Sequence, residues 1–263
     1  MSDDPVAAVL RQIAARDALD VGCGTGAFTR TLAAHLGQWR SIVGIDPDKD
    51  SIDEARRLTG DYGATPGSQD GVRYRVMSAL EMPWADARFD LVCISNTLHH
   101  LEDPTAVLRE MVRVARPGAD LVVQELVSDG LSDAEANERD VHHLKARIDE
   151  LNGRCHRPTY SRAEVEALLG EIAPASRIER HTTAIVTDEE PGEPGSPRVG
   201  EVLGFLGEYL EFVRDEPAYP EFQAEASRIS RNLLAYGIAT PPRLLVRLRL
   251  ATPREYASTH DQP

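Results

Sequence analysis

Apolar and polar positions along this chain follow two rhythms in turn. Short apolar runs give way to stretches with a repeat near 3.6 residues, the pattern of a mostly parallel sheet with helices on both faces. The runs predict strands near 18–22, 41–46, 72–77, 90–95 and 119–126, with two more at 176–186 and at Arg243 to Leu250, the last preceded by the breaker Pro241-Pro242. After the first run, apolar residues recur at helical spacing at Phe28, Leu32 and Leu36. Pro104 opens a later helix that buries Val107, Leu108, Met111, Val112 and Ala115 and that Pro117-Gly118 stops.

The alternation is interrupted twice. Val127 to Tyr160 opens with a capping box at Ser132 and Glu135 and continues with a packing stripe of Val141, Leu144, Ile148 and Leu151. At 100° per residue, His142 and His143 point more than about 100° from that stripe and so face solvent or a pocket. Ser161 and Glu164 cap the helix that follows. The second interruption begins with Asp188-Glu-Glu-Pro-Gly-Glu-Pro-Gly-Ser-Pro197, a flexible linker by composition. Two helices come next. In the first, Val199, Val202, Leu203, Leu206, Tyr209, Leu210 and Val213 share a face, while Gly200, Gly204 and Gly207 line another; the second carries Phe222, Ala226, Ile229, Leu233 and Tyr236. Glycine inside a helix costs about 0.8–1.0 kcal/mol, so three in line predict close approach by another element. That element is the neighbouring helix, a ligand or a second copy, the last giving a homodimer through the 199–236 helices. The expected organisation is a core half at 1–126, a helical cap insertion at 127–160, continuation of the core at 161–186, a linker and helical pair at 187–240, and a last strand with a frayed tail at 241–263.

The chemistry is concentrated in Ala18 to Thr29, where an apolar strand, a glycine turn and a helix start meet. Gly22, Gly24 and Gly26 let the backbone turn tightly and bring a ligand over the unpaired N–H groups of the helix that follows. Gly22, Gly24 and Ala27 also satisfy the dinucleotide fingerprint, so a nicotinamide cofactor stays open at this point. Ser41-Ile-Val-Gly-Ile-Asp46 then ends a second strand in a carboxylate placed to accept the hydroxyls of a ribose.

Four blocks in order carry a resemblance to class I S-adenosylmethionine-dependent methyltransferases over roughly residues 15 to 127. They are Leu19-Asp-Val-Gly-Cys-Gly-Thr-Gly26, Val43-Gly-Ile-Asp-Pro47, Val76-Met-Ser-Ala-Leu-Glu-Met-Pro-Trp-Ala-Asp86 with Phe89-Asp-Leu-Val92, and Leu98-His-His-Leu-Glu-Asp-Pro104 with Arg116-Pro-Gly118. The resemblance implies a Rossmann-like, doubly wound α/β sheet, mostly parallel with an antiparallel last strand, plus a helical cap from the insertions. By it, Asp20 organises the methionine amino end of S-adenosylmethionine beside Gly22, Cys23, Gly24 and Gly26, and Asp46 with Pro47 holds the ribose. Ser78, Ala79 and Leu80 flank the adenine, and Ser95 and Asn96 close over the methionine part. Relatives often carry Asp-Ala where this chain has Ser78-Ala79. A serine hydroxyl still accepts one hydrogen bond, so the departure costs about tenfold in affinity or less.

Composition narrows the partners. A hydrophobic content of 41% over 263 residues is enough for one core with an appended cap. A net charge of −14 disfavours nucleic acid and anionic membranes. Cys23, Cys93 and Cys155 form no disulfide framework, no run approaches a membrane helix, and the N-terminus lacks the basic start of a signal peptide. A cytoplasmic protein is expected, and its alanine, arginine and glycine content suits a bacterial enzyme of specialised metabolism or of quinone-type methylation.

The expected activity is in-line methyl transfer from S-adenosylmethionine to a small molecule, leaving S-adenosylhomocysteine, with the acceptor atom open among oxygen, nitrogen and carbon. Only about seventeen residues precede the first strand, so substrate selection is assigned to the later insertions. His100, His143, His156 and Tyr160 are the candidate catalytic residues, none with an assigned role. No metal is expected, because the spacing of His142, His143, Cys155 and His156 matches no common zinc pattern. Two alternatives are a non-catalytic domain that binds the same cofactor and an NAD-dependent oxidoreductase. The second leaves Pro83, Phe89-Asp90 and His99-His100 without a role.

Overall fold

Strand β1 (Asp17–Val21) is buried along its whole length, as a strand must be when helices cover both faces of a parallel sheet. In the computed structural model, which describes residues 4–60, 70–172, 178–186 and 191–252, it lies near the middle of a seven-stranded sheet. The other strands are β2 (Ser41–Asp46), β3 (Gly71–Val76), β4 (Phe89–Ser95), β5 (Ala115–Leu126), β6 (Ile178–Val186) and β7 (Arg243–Leu250). Their order is β3-β2-β1-β4-β5-β7-β6, with β7 antiparallel to both of its neighbours and the first five mutually parallel. The order reverses between β1 and β4, which opens a crevice at their carboxyl ends.

Helices α1 (Pro5–Leu10), α2 (Ala27–His35), α3 (Lys49–Thr59), α4 (Pro104–Val114) and α6 (Arg162–Ile172) flank the sheet. One core gathers Leu19, Val21, Ile45, Val92 and Ile94 against Leu108, Met111 and Leu169; the other gathers Ala18, Ile42, Leu91 and Cys93 against Leu10, Leu32 and Ile52. Asp103 caps α4 through Ala106 N–H at 2.8 Å, and Pro104 fills the first helical position, where its missing N–H costs nothing. At the amino end of β1, Asp17 is buried and bonded by the guanidinium groups of Arg40 and Arg88. Burial would raise its pKa, but those hydrogen bonds outweigh it and hold the carboxyl below its ordinary value.

One core boundary differs from the sequence expectation. Helix α4 ends at Val114 and β5 starts at once with Ala115, which pairs with Phe89. Pro117 and Gly118 therefore lie inside the strand, where the register shifts between Phe89 and Leu91, and such an irregularity accommodates a residue without an N–H. Residues 176–177 of the expected sixth strand, the first part of the linker at 188–190 and the tail beyond 252 lie outside the described residues.

The two insertions build one cap. Helix α5 (Asp133–Leu151) comes from the first, and α7 (Pro197–Glu211) and α8 (Tyr219–Tyr236) from the second. Val141, Leu144 and Ile148 share a third core with Val199, Leu206, Val213, Phe222, Ala226, Ile229 and Leu233. Ion pairs of Arg228 with Asp140 and of Arg147 with Glu225 border α5 and α8. Leu151, expected in the stripe, is 52% exposed because the helix ends there.

Two expectations about the second insertion are corrected. Gly200, Gly204 and Gly207 face open space, with nothing of the described chain within 4 Å of where a side chain would begin, so the neighbouring helix is not the element that approaches them. The described part of the linker is not loose: Gly192 and Ile238 exchange backbone hydrogen bonds of 2.7 and 2.9 Å, and Ser196 caps α7. Gly237 is needed there, since its φ is +72° and an added Cβ would lie 2.1 Å from the Gly192 carbonyl oxygen.

Ile229 is fully buried in the cap, so Ile229→Ala should cost about 2–5 kcal/mol. Hydrogen exchange should show faster exchange across 197–236 with the amides of β1 unchanged; equal acceleration in β1 would mean that cap and sheet form a single cooperative unit.

Candidate functional site

At the carboxyl ends of β1, β2 and β4 the chain encloses a cavity of about 730 Å³. Its floor is the turn after β1. Gly22, Gly24 and Gly26 all have positive φ, at +64°, +50° and +81°. A Cβ on Gly22 would lie 2.2 Å from the Thr97 methyl carbon, and the Thr97 hydroxyl donates to the Gly22 carbonyl at 3.0 Å. The turn after β1 is thereby locked to the turn after β4. At Gly24 an added Cβ meets nothing within 4 Å, so this backbone faces open cavity.

Asp46 ends β2 beside that turn. One carboxylate oxygen accepts Gly24 N–H at 2.9 Å and the other accepts Asp48 N–H at 2.9 Å. These bonds fix the carboxylate and leave further lone pairs for a ligand. Asp20 lies deeper, 1% exposed, with one oxygen accepting the Thr29 hydroxyl at 2.6 Å and the other, Oδ1, buried without a partner. Burial, reinforced by the Asp46 charge and opposed by Thr29, pushes its pKa up to about 7. Asn96 has a positive φ of 49° and its buried Oδ1 also lacks a partner. Buried acceptors of this kind are costly unless something donates to them, and a cationic ligand end would.

Of the twelve residues expected to hold a cofactor, Gly22, Cys23, Gly24, Asp46, Pro47, Ser78, Ala79, Leu80, Ser95 and Asn96 line the cavity. Asp20 and Gly26 do not. Asp20 sits behind the turn, and Gly26 is the N-cap of α2, where an added Cβ would lie 2.4 Å from the Tyr74 hydroxyl. Burial pushes the Cys23 thiol pKa well up, so it presents an uncharged wall. The Ser78 hydroxyl accepts Leu80 N–H at 3.2 Å and thereby shapes its loop.

The four catalytic candidates separate. His100 lines the cavity. Its pKa is lowered to about 3, mainly by burial and further by its histidine neighbours, so its imidazole is neutral and weakly basic. His143 Nε2 meets the Thr159 hydroxyl at 2.9 Å and accepts its N–H at 3.1 Å. His156 is buried against His142 and Asp149, and Tyr160 packs on the main core. None of these three lines the cavity. His142 and His143, expected to face solvent or a pocket, are partly buried and line neither cavity: the 3₁₀ turn Leu98–His100 and the segment 152–160 cover that face of α5.

A second recess of about 270 Å³ shares Ser95 and Asn96 with the first and is otherwise lined by Asp4, Val6, Ala27, Phe28, Thr31, Gln124 and Arg243. Gln124 Oε1 is buried without a partner. The short N-terminal segment thus does form wall, because Val6, Val9 and Leu10 anchor α1 beside α2 and Asp4 caps it. Among the described residues of the cap insertions, only Cys155 reaches the larger cavity. The recess lacks a motif, and its one sequence signal is the proline-started apolar turn at 5–10.

The raised Asp20 has a measurable consequence. An acid whose native pKa lies above its unfolded value of 3.8 stabilises the fold below about pH 4 and loses that contribution as pH rises to about 7. The loss is on the order of 4 kcal/mol at 1.36 kcal/mol per unit. Between pH 4.5 and 7.5 the ligand-free Asp20→Asn protein should therefore gain stability relative to wild type by several kcal/mol in urea titrations. Parallel pH profiles would place the Asp20 pKa in the ordinary range.

Residues 19–123 match the family model described as a methyltransferase domain. An O-methyltransferase, resE, of Aspergillus sclerotiorum is 37% identical over 124 residues, which are 47% of this chain and 45% of that protein. Ajmaline N-methyltransferase of Rauvolfia serpentina is 34% identical over 120 residues, 46% of this chain and 39% of that one. These matches span less than half the length of either relative. A crystal structure from Bacillus halodurans superposes with a TM-score of 0.60 at 17% identity, covering 96% of this chain and 100% of that one, and so shares the fold.

Proposed function

We propose that this chain, whose residues 19–123 form a methyltransferase domain, uses S-adenosylmethionine to methylate a small molecule. The observation that carries the reading is the glycine turn, open at Gly24 and flanked by the fixed Asp46 carboxylate, with the unpartnered oxygens of Asp20 and Asn96 beside it. These groups suit a ligand with a ribose at one end and an ammonium at the other. Asp46 would hold the ribose, Ser78 to Leu80 would flank the base, and Asn96 would face the amino-acid end, with the buried Asp20 acting on it from behind the glycine turn.

When bound, that cofactor supplies a methyl group already activated on a sulfonium. The protein's task is then mainly alignment and exclusion of water. Ser95 and Asn96 belong to both cavities, so the acceptor belongs in the smaller recess, where Gln124 Oε1 is available to accept a hydrogen bond from it. Its size suits a small molecule rather than a polymer. The neutral His100 is a hydrogen-bond partner on the cavity wall and a poor general base, which favours acceptors that need little deprotonation. The same weak base favours, as a second reading, a domain that binds the cofactor without turnover.

Asp46→Ala should weaken S-adenosylhomocysteine binding by about 1.5–3 kcal/mol, the range for a hydrogen bond to a charged group, or roughly 10- to 150-fold. Calorimetric titration checks this with NAD in parallel. Unchanged affinity would displace the ribose from Asp46, and preference for NAD would overturn the reading. Methyl transfer to any acceptor separates an enzyme from a binding domain.

A further inference from the structure

Three histidines from distant parts of the chain converge beneath the cap. His99 lies on the turn after β4, His142 on α5 and His156 on the segment after α5, and one ring nitrogen from each lies within 4.8 Å of the others. The Nε2 atoms of His142 and His156 are 3.0 Å apart. His99 and His156 are 2% and 5% exposed. Burying imidazoles in mutual contact is costly, and their far sides show how they are held.

His99 Nδ1 lies 2.9 Å from Oε1 of Glu125, a fully buried carboxylate whose Oε2 accepts Leu98 N–H at 2.8 Å. His156 Nδ1 lies 2.8 Å from Asp149 Oδ2, which is also paired with Lys145. The Lys145 ammonium is 3.5 Å from that same Nδ1, on the side of the ring away from Nε2. In two of the three imidazoles, then, a carboxylate engages one nitrogen and orients the other inward. This is the outer arrangement of histidine metal ligands.

We propose that His99, His142 and His156 bind one divalent transition-metal ion through ring nitrogens, zinc being the best match. Three imidazoles suit zinc and its borderline neighbours, whereas magnesium and calcium require oxygen ligands, and Glu125 and Asp149 are turned to the outer nitrogens. Nitrogens about 2.0–2.1 Å from a tetrahedral ion lie about 3.3 Å from one another. The His142–His156 pair is near that spacing, and His99 needs only a side-chain adjustment of about 1–1.5 Å to complete it. Water takes the fourth position.

None of the three lines either described cavity, so the ion is a clamp and not a catalyst. It fastens α5 and the segment 152–160 to the connection between β4 and α4. His100, whose ring centroid is 4.2 Å from that of His99 and 4.3 Å from that of His156, stands between the clamp and the larger cavity. Cys155 on the cavity wall is held through its neighbour His156. Local spacing of 142, 143, 155 and 156 hid the site because His99 comes from 43 residues upstream of His142.

The site is independent of the methyl-transfer reading, and its test uses the untagged full chain stripped with a chelator. Zinc titrated against a chromophoric chelator should bind at one equivalent. His142→Ala and His156→Ala should each lose at least 100-fold in affinity, while His143→Ala, one position away, should bind as wild type. The cobalt-loaded wild type should show the visible absorption bands of a four-coordinate site, and zinc, but not magnesium, should raise the melting temperature. The cobalt spectrum needs no variant, so it decides the matter even where a histidine replacement fails to fold. Absence of those bands, sub-stoichiometric zinc, or binding that survives His142→Ala and His156→Ala would overturn the assignment.

Discussion

The turn after β1 and the turn after β4 can coexist only because position 22 has no side chain. Thr97 presses its methyl group into the space a Cβ would occupy and ties its hydroxyl to the Gly22 carbonyl. That contact brings the ends of two neighbouring parallel strands to a common depth. The glycine turn, Ser95 and Asn96 then form one continuous floor, with Asp46 joined to it through Gly24 N–H. The larger cavity is a consequence of this packing, walled by the ends of β1, β2 and β4, the loop 77–80 and the turn 100–103.

The division between what the sequence discloses and what it hides follows the range of the interactions. Strands β1 to β4 are readable because each is a local apolar run bounded by glycine, proline or acid. The cofactor-site residues are readable because turn chemistry confines them to a few positions after each strand, and ten of the twelve expected line the cavity. The start of β5 was hidden, since Pro117 and Gly118 ordinarily stop an element and here lie within an irregular strand. The union of α5, α7 and α8 into one cap was hidden too, because an apolar stripe reveals that a helix packs but not on what. His142 and His143 were misplaced for the same reason, their covering segments being remote or irregular. Nothing in the residues around Gln124 or Arg243 announces a recess, which arises from a strand end, a helix N-terminus and an N-terminal turn meeting in space.

The insertions are attached to the sheet by polar links as well as by Val127 and Tyr160, which join the main core. The cap's own core is distinct from the two cores against the sheet. Among the described residues, the polar links include the Arg157 N–H donated to the His99 carbonyl, the Arg157 guanidinium on the Glu102 carbonyl, and the histidine cluster with its two carboxylates. Several of these converge on residues 98–102, the segment that also contributes His100, Leu101 and Glu102 to the cavity wall. Cap position and cavity shape are therefore set at the same place in the chain.

The placement of β7 bears on how the protein forms during synthesis. β7 is the last strand, yet it lies between β5 and β6 and is the neighbour of β6 in the sheet. Until residue 250 has left the ribosome, β5 keeps an open edge and β6 has no place in the sheet, while α7 and α8 have already emerged and can collapse onto α5. The sheet can close only after β7 has been made, because β5 and β6 both pair with it. An exposed strand edge invites pairing with other chains. Until β7 arrives, the edge of β5 that it covers is open to such pairing.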